Sequence, residues 1–218
     1  MTFRFTFILI SILLFAVSLN AQSEAAAKTN TGPVFIGIAV DCSGPQRLQL
    51  ERTIGAMKQI VAAMHADDQA FVLRFIDASK TSVVQELTSE KPDLNDAADA
   101  LYVEAGRTAI TDAVASSAEY FAEKNETAAG NRFLVLITNG EDRGSSRKPE
   151  EAAALLKDNR VRVFAIAISD LPVSTKLLDK FTKETGGKTF VPRVPSDLSN
   201  VVSDILKALR ALPAAQDR

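Results

Sequence analysis

Val34-Phe35-Ile36-Gly37-Ile38-Ala39-Val40-Asp41-Cys42-Ser43-Gly44-Pro45 is an apolar run that stops on an acid and passes into turn residues. Six of its first seven residues are apolar, and most of these are β-branched or aromatic. A short apolar run without alternation reads as a strand buried on both faces. Cys42-Ser43-Gly44-Pro45 is turn chemistry, and a long helical pattern follows. The unit is therefore strand, loop, helix, with the loop at the carboxyl end of a central strand. In open α/β sheets that edge is where ligands bind.

The same reading extends in both directions. Apolar runs at Ala70–Ile76, Arg132–Thr138 and Val161–Ile168 predict further buried strands. Shorter strands are expected at Ser82–Leu87 and Thr189–Val191. The tight return through Asp77-Ala78-Ser79 makes Ser82–Leu87 an antiparallel edge strand. Helical periodicity marks Gln46–His65, with Leu48, Leu50, Ile54, Met57, Ile60, Val61 and Met64 on its apolar face. It also marks Pro92–Leu101, Ala109–Lys124, Lys148–Lys157, Ser174–Thr185 and Leu198–Leu209. Gly186-Gly187 is a good carboxyl cap for the fifth of these. Strands alternating with helices predict an α/β fold. It is a doubly wound, mostly parallel sheet of about six strands with one antiparallel edge strand and helices on both faces.

Phe5–Leu19 is almost wholly apolar, Arg4 precedes it, and Leu19-Asn20-Ala21 offers a small residue for cleavage. This is a secretory signal pattern over residues 1–21. The run falls short of the roughly 20 residues a spanning helix needs, so the expectation is removal rather than stable insertion in a membrane. Residues 22–32 are polar and Ala-rich and read as a disordered lead-in. The domain is expected over 33–210, with a tail at 211–218. The protein is thus expected outside the cytoplasm, in a periplasm or secreted.

The chain carries 25 basic and 27 acidic residues, for a formal net charge of −2. No basic stripe points to nucleic acid. A single Cys excludes an internal disulfide, so stability must come from the core. Cys42 and the single His65 do not form a dyad if Gln46–His65 is helical. About 20 residues at a ~1.5 Å rise separate them by roughly 30 Å. Asp67-Asp68 and Glu150-Glu151 read as helix-capping or solvated carboxylates. No glycine pattern for phosphate follows any strand.

Right-handed crossovers bring three loops to one edge of the sheet: those after Val40, after Leu101 and after Thr138. They carry Asp41-Cys42-Ser43-Gly44-Pro45, Gly106-Arg107-Thr108 and Thr138-Asn139-Gly140-Glu141-Asp142. At these residues the chain resembles a von Willebrand factor type A (VWA) domain of the secreted bacterial type, from about Val34 to Arg210. That family's metal-ion-dependent adhesion site has D-x-S-x-S on the first loop, a Thr on the second and an Asp in T-D-G on the third. Asp41, Ser43 and Thr108 match. Pro45 stands where the family has its second Ser, and Asn139 where it has the Asp.

The resemblance implies a binding module for another protein, gripping an acidic group of the partner through a divalent cation, usually magnesium. The two departures imply a degenerate site built on Asp41, Ser43, Thr108 and Asn139, with Glu141 and Asp142 as substitute carboxylates. It implies no catalysis. Two other readings stay open: a hydrolase on a doubly wound sheet, and a structural or assembly domain with a defunct metal site.

Overall fold

The computed structural model describes residues 33–124, 127 and 130–211. The expected signal segment, the lead-in and residues 212–218 of the expected tail lie outside the described residues.

The sheet has six strands: β1 (Val34–Asp41), β2 (Gln69–Phe75), β3 (Thr81–Thr88), β4 (Asn131–Thr138), β5 (Val161–Ala167) and β6 (Lys188–Phe190). Their order across the sheet is β3-β2-β1-β4-β5-β6. The β2–β3 pair is antiparallel and every other pair is parallel, as the apolar runs and the tight return predict. The helices are α1 (Leu50–Ala62), α2 (Lys91–Asp99), α3 (Ile110–Glu123), α4 (Pro149–Asp158), α5 (Lys176–Thr185) and α6 (Pro195–Arg210).

All eight residues of β1 are buried. Ile36, Ile38 and Val40 face a layer built from Met57, Ile60 and Val61 of α1, Leu94 of α2 and Ile205 of α6. Phe35 and Ala39 face the opposite layer, with Phe71 of β2, Val114 and Phe121 of α3, Leu156 of α4 and Phe181 of α5. The period of two along β1 thus feeds two cores at once. The Phe71 ring sits 4.2 Å from Tyr120 and 5.0 Å edge-on from Phe121, centroid to centroid.

The region after β1 departs from its periodicity. Instead of one helix over Gln46–His65, a 3-10 turn at Gly44–Gln46 comes first and α1 starts at Leu50. Leu48, expected on the apolar face, is 83 % exposed. Pro45 at the start of the turn favours the tighter coil, and its rotation moves Leu48 off the face that α1 buries. At the other end of the chain, Gly186 closes α5 in the left-handed conformation, φ +75°, as its position predicts.

Asp68 also departs from expectation. It is 1 % exposed and accepts the backbone N–H of Val34 (3.1 Å) and of His65 (2.7 Å). The Arg210 guanidinium closes on both of its oxygens. It therefore fastens β1, the α1–β2 loop and α6 at the amino edge of the sheet rather than capping a helix in solvent.

Candidate functional site

The connection from β1 leads to α1 on one face of the sheet, and the connection from β4 leads to α4 on the other. The switch point therefore lies between the carboxyl ends of β1 and β4, where a crevice opens in doubly wound sheets. Asp41 is the last residue of β1 and Thr138 the last of β4. The register Val40↔Ile137 sets them side by side. Thr138 donates its hydroxyl to Asp41 Oδ2 at 2.7 Å. The other carboxylate oxygen accepts the Ser43 N–H at 3.0 Å, which turns the chain sharply after the strand. Burial pushes the Asp41 carboxyl pKa up, and hydrogen bonds from Ser43 and Thr138 pull against it.

Ser43 and Thr108 meet next. Their hydroxyl oxygens are 2.7 Å apart, and both residues are buried. Thr108 has a φ of +22°, a strained conformation for a β-branched residue. Its carbonyl accepts the N–H groups of Arg143 and Gly144, both at 3.0 Å. That clamp over-determines the strained backbone and aims the side chain at Ser43. Gly144 must be glycine for the clamp to close, because a Cβ there would lie 2.1 Å from the Arg107 carbonyl oxygen.

Cys42, between the two, contributes backbone. Its N–H donates to Phe75 and its carbonyl accepts from Glu104, at 2.8 and 3.0 Å. The thiol is buried, and burial pushes its pKa up to about 11, so thiolate is scarce at neutral pH.

The remaining candidates sit in the third loop with other partners. Asn139 Oδ1 accepts the Glu141 N–H at 3.0 Å, and Glu141 pairs with Arg143 at 2.8 Å in the open. Asp142 turns to the start of α3. It accepts the Thr111 N–H (2.9 Å), the Thr111 hydroxyl (2.6 Å) and the Ser145 hydroxyl (2.8 Å). Asp112, which the spacing did not single out, accepts the N–H groups of Ser146 and Arg147 at 2.9 and 2.8 Å. Asp142 thus satisfies an amide at the start of α3, while Asp112, in the first turn of that helix, accepts amides of the segment that follows the third loop. Together they hold that segment against α3.

The structure thus joins Asp41, Ser43 and Thr108 into one cluster, adds Thr138, and keeps Asn139, Glu141 and Asp142 on bonds within the loop or to α3. Thr138 was readable in principle, because a Thr precedes the Asp in the family's T-D-G. Among the described residues, no group of three or more His, Cys, Asp and Glu side chains gathers as a metal site of those ligands would.

No protein of curated function matches the chain. Solved structures with the same fold include an aerotolerance-related membrane protein from Bacteroides fragilis NCTC 9343. It is 16 % identical with a TM-score of 0.63, and the match covers 81 % of this chain and 99 % of that one. Proximal thread matrix protein 1 from the mussel byssus, with a zinc-occupied MIDAS motif, is 24 % identical with a TM-score of 0.66. There the match covers 81 % of this chain and 46 % of that one. The pilus adhesin SpaC from Lactobacillus rhamnosus GG is 12 % identical with a TM-score of 0.65, over 83 % of this chain and 31 % of that one. At these identities the likeness is one of fold. The model of the von Willebrand factor type A domain matches residues 36–206, and the chain belongs to that family.

Proposed function

We propose that residues 33–210 form an extracytoplasmic binding module that engages another protein at the carboxyl edge of the sheet. The observation that carries this reading is the Ser43–Thr108 hydroxyl pair, held 2.7 Å apart by two separate loops beside the Asp41 carboxylate. The strain at Thr108 supports it, since strained backbone gathers at functional sites. An adhesin and a thread matrix protein among chains of the same fold fit a binding role. The signal pattern over residues 1–21 supports export, and no helix among the described residues is long and apolar enough to cross a membrane. Cleavage would leave a chain starting near Gln22. Intact-mass measurement of exported protein tests this, and a chain retaining residues 1–21 overturns it.

The cluster fits a hard divalent cation in donor type. Asp41, Ser43 and Thr108 present oxygens only, and hard cations take oxygen ligands. Two adjacent ligands of an octahedral magnesium ion lie about 3 Å apart, close to the Ser43–Thr108 separation. In charge the set is sparse, with Asp41 its single carboxylate. A bound magnesium ion would offer an open coordination position to a carboxylate of the partner. The chain's own part is to hold the two hydroxyls and Asp41 in place from two loops.

Catalysis finds no support in these residues. The Cys42 thiol is buried at the carboxyl edge, and its pKa is raised. His65 lies beside Asp68 and the start of β1, at the opposite edge.

Capture from a cell-envelope extract tests the binding reading, using the mature chain, its Ser43→Ala variant, and buffers with magnesium or chelator. A protein retained by the unmodified chain and lost with Ser43→Ala is the expected result. Equal retention by both removes the cluster from the binding surface. One observation favours a second reading, a structural or assembly domain with a defunct metal site. The hydroxyls of Ser43, Thr108 and Thr138 already pair with each other or with Asp41. Under that reading magnesium has no effect, and Ser43→Ala lowers stability instead of capture.

A further inference from the structure

Gln46 is 1 % exposed. Neither its amide nitrogen nor its amide oxygen reaches a hydrogen-bond partner among the described residues. Its backbone is satisfied, since its N–H donates to the Ser43 carbonyl and its carbonyl accepts the Gln49 N–H, each at 2.9 Å. Only the side chain is left wanting. A buried carboxamide with both ends unpaired is destabilising, and an apolar side chain in the same space would carry no such penalty. The amide is a neighbour of the Asp41 carboxylate, near enough to pull its pKa down slightly against burial, but it makes no hydrogen bond to it.

The local chain explains how it comes to be there. Pro45 is exposed and brings no side-chain oxygen. The tight coil of Gly44–Gln46 turns Pro45 outward and the next residue inward. The first loop therefore still delivers a polar side chain to the cluster, one residue later and on a longer stem.

We propose that the Gln46 carboxamide oxygen is a ligand for a divalent cation at Asp41, Ser43 and Thr108, standing in for the hydroxyl that Pro45 lacks. This rests on the reading of that cluster as a cation site. One amide then serves two neighbours: the oxygen faces the cation, and the NH2 group donates to the Asp41 carboxylate. A carboxamide oxygen is a hard neutral donor. It restores ligand number without restoring charge, so the site binds weakly and gains sharply from any added carboxylate.

The test uses the mature chain and manganese as a probe for magnesium, read by water-proton relaxation, with calorimetric magnesium titration beside it. The variants are Gln46→Met, which is apolar and of similar length, Gln46→Glu, and Ser43→Ala. The unmodified chain is expected to bind manganese weakly. Gln46→Met should bind about tenfold less tightly or not at all. In chelator its thermal midpoint should be higher than that of the unmodified chain, because it removes unpaired buried atoms. Gln46→Glu should bind more tightly than the unmodified chain. The opposed changes in affinity and metal-free stability report a ligand role and also show that Gln46→Met folds. If Gln46→Met binds manganese as well as the unmodified chain while Ser43→Ala does not, Gln46 is no ligand and the cluster reading stands. If neither the unmodified chain nor Gln46→Glu binds manganese, the cluster is not a cation site and the proposal falls with it.

Discussion

Thr138 donates its hydroxyl to Asp41 across 2.7 Å, joining the last residues of two neighbouring parallel strands at the switch point of the sheet. Both groups are buried, so neither can turn to water if the other is lost. Thr138→Val keeps the shape and removes the donor. The expected loss of stability is about 1–3 kcal/mol, the range for a buried acceptor left short of a partner. Denaturant titration in chelator measures it, and an unchanged midpoint would mean that Asp41 finds another donor.

Ile38 is fully buried in the middle of β1, between β2 and β4. Ile38→Ala removes burial and leaves a cavity, so a loss of ~2–5 kcal/mol is expected. A urea series that shows under about 1 kcal/mol would mean that the neighbouring layer collapses into the space.

Asp68→Ala strips the clasp from Val34, His65 and Arg210. Breaking a buried charge pair by removing one partner is expected to be destabilising by roughly 3–5 kcal/mol. Arg210→Ala leaves the Asp68 carboxylate buried with only backbone donors and should also be destabilising. Thermal unfolding of both variants, compared with the double variant, gives the coupling between the two residues. Additive losses would contradict the clasp.

Tyr120 ties α3 to the edge strand β3. Its hydroxyl donates to Glu86 at 2.6 Å and accepts the Leu87 N–H at 2.9 Å. The Tyr120 hydroxyl, and after it Lys124, hold the Glu86 carboxyl below its ordinary pKa. A depressed carboxylate pKa adds stability above the unfolded-state value, and that stability is lost as pH falls through the folded-state value. Glu86 is exposed and solvent screens its carboxylate. Tyr120→Phe should therefore lower stability by at most about 1 kcal/mol at neutral pH, through the lost hydrogen bonds, and the gap to the unmodified chain should narrow below the Glu86 range. Stability curves at neutral and acid pH measure the gap. A gap that widens in acid would reverse the assignment.

Magnesium affinity of the unmodified chain is expected to be weaker than millimolar, because Pro45 and Asn139 stand where the family has a hydroxyl and a carboxylate. At about 1 mM free magnesium, stabilisation by mass action should stay below about 0.4 kcal/mol. Pro45→Ser with Asn139→Asp should raise the affinity, provided the new carboxylate leaves the Glu141 N–H that Asn139 now accepts. Calorimetric titration of both proteins decides it. Micromolar binding by the unmodified chain would show that its own oxygens already complete the site.

The strands were legible because a doubly covered sheet demands continuous apolar runs, and few other structures do. Val34–Val40, Ala70–Ile76 and Arg132–Thr138 carry that demand in their own composition, and the turn residues between β2 and β3 announce the antiparallel edge. Loop order then placed Asp41, Ser43 and Thr108 on one edge, since crossovers have a fixed hand. These are local or topological rules, and one sequence suffices for them.

What each polar side chain touches is another matter, because a hydrogen bond links residues that are far apart in the chain. Asp68 and Arg210 are 142 residues apart, and nothing in an acidic pair after a helix says that one of its members will be buried. Asp142 and Asn139 look alike as loop oxygens, yet one caps α3 and the other closes its own turn. Gln46 read as the start of a helix until the coil at Pro45 turned its amide into the interior. The sequence by itself determined the sheet, its order of elements and the three loops that meet. Only the tertiary structure decided which oxygens in those loops share a site, because burial and donor geometry are set by the packing of all the elements together.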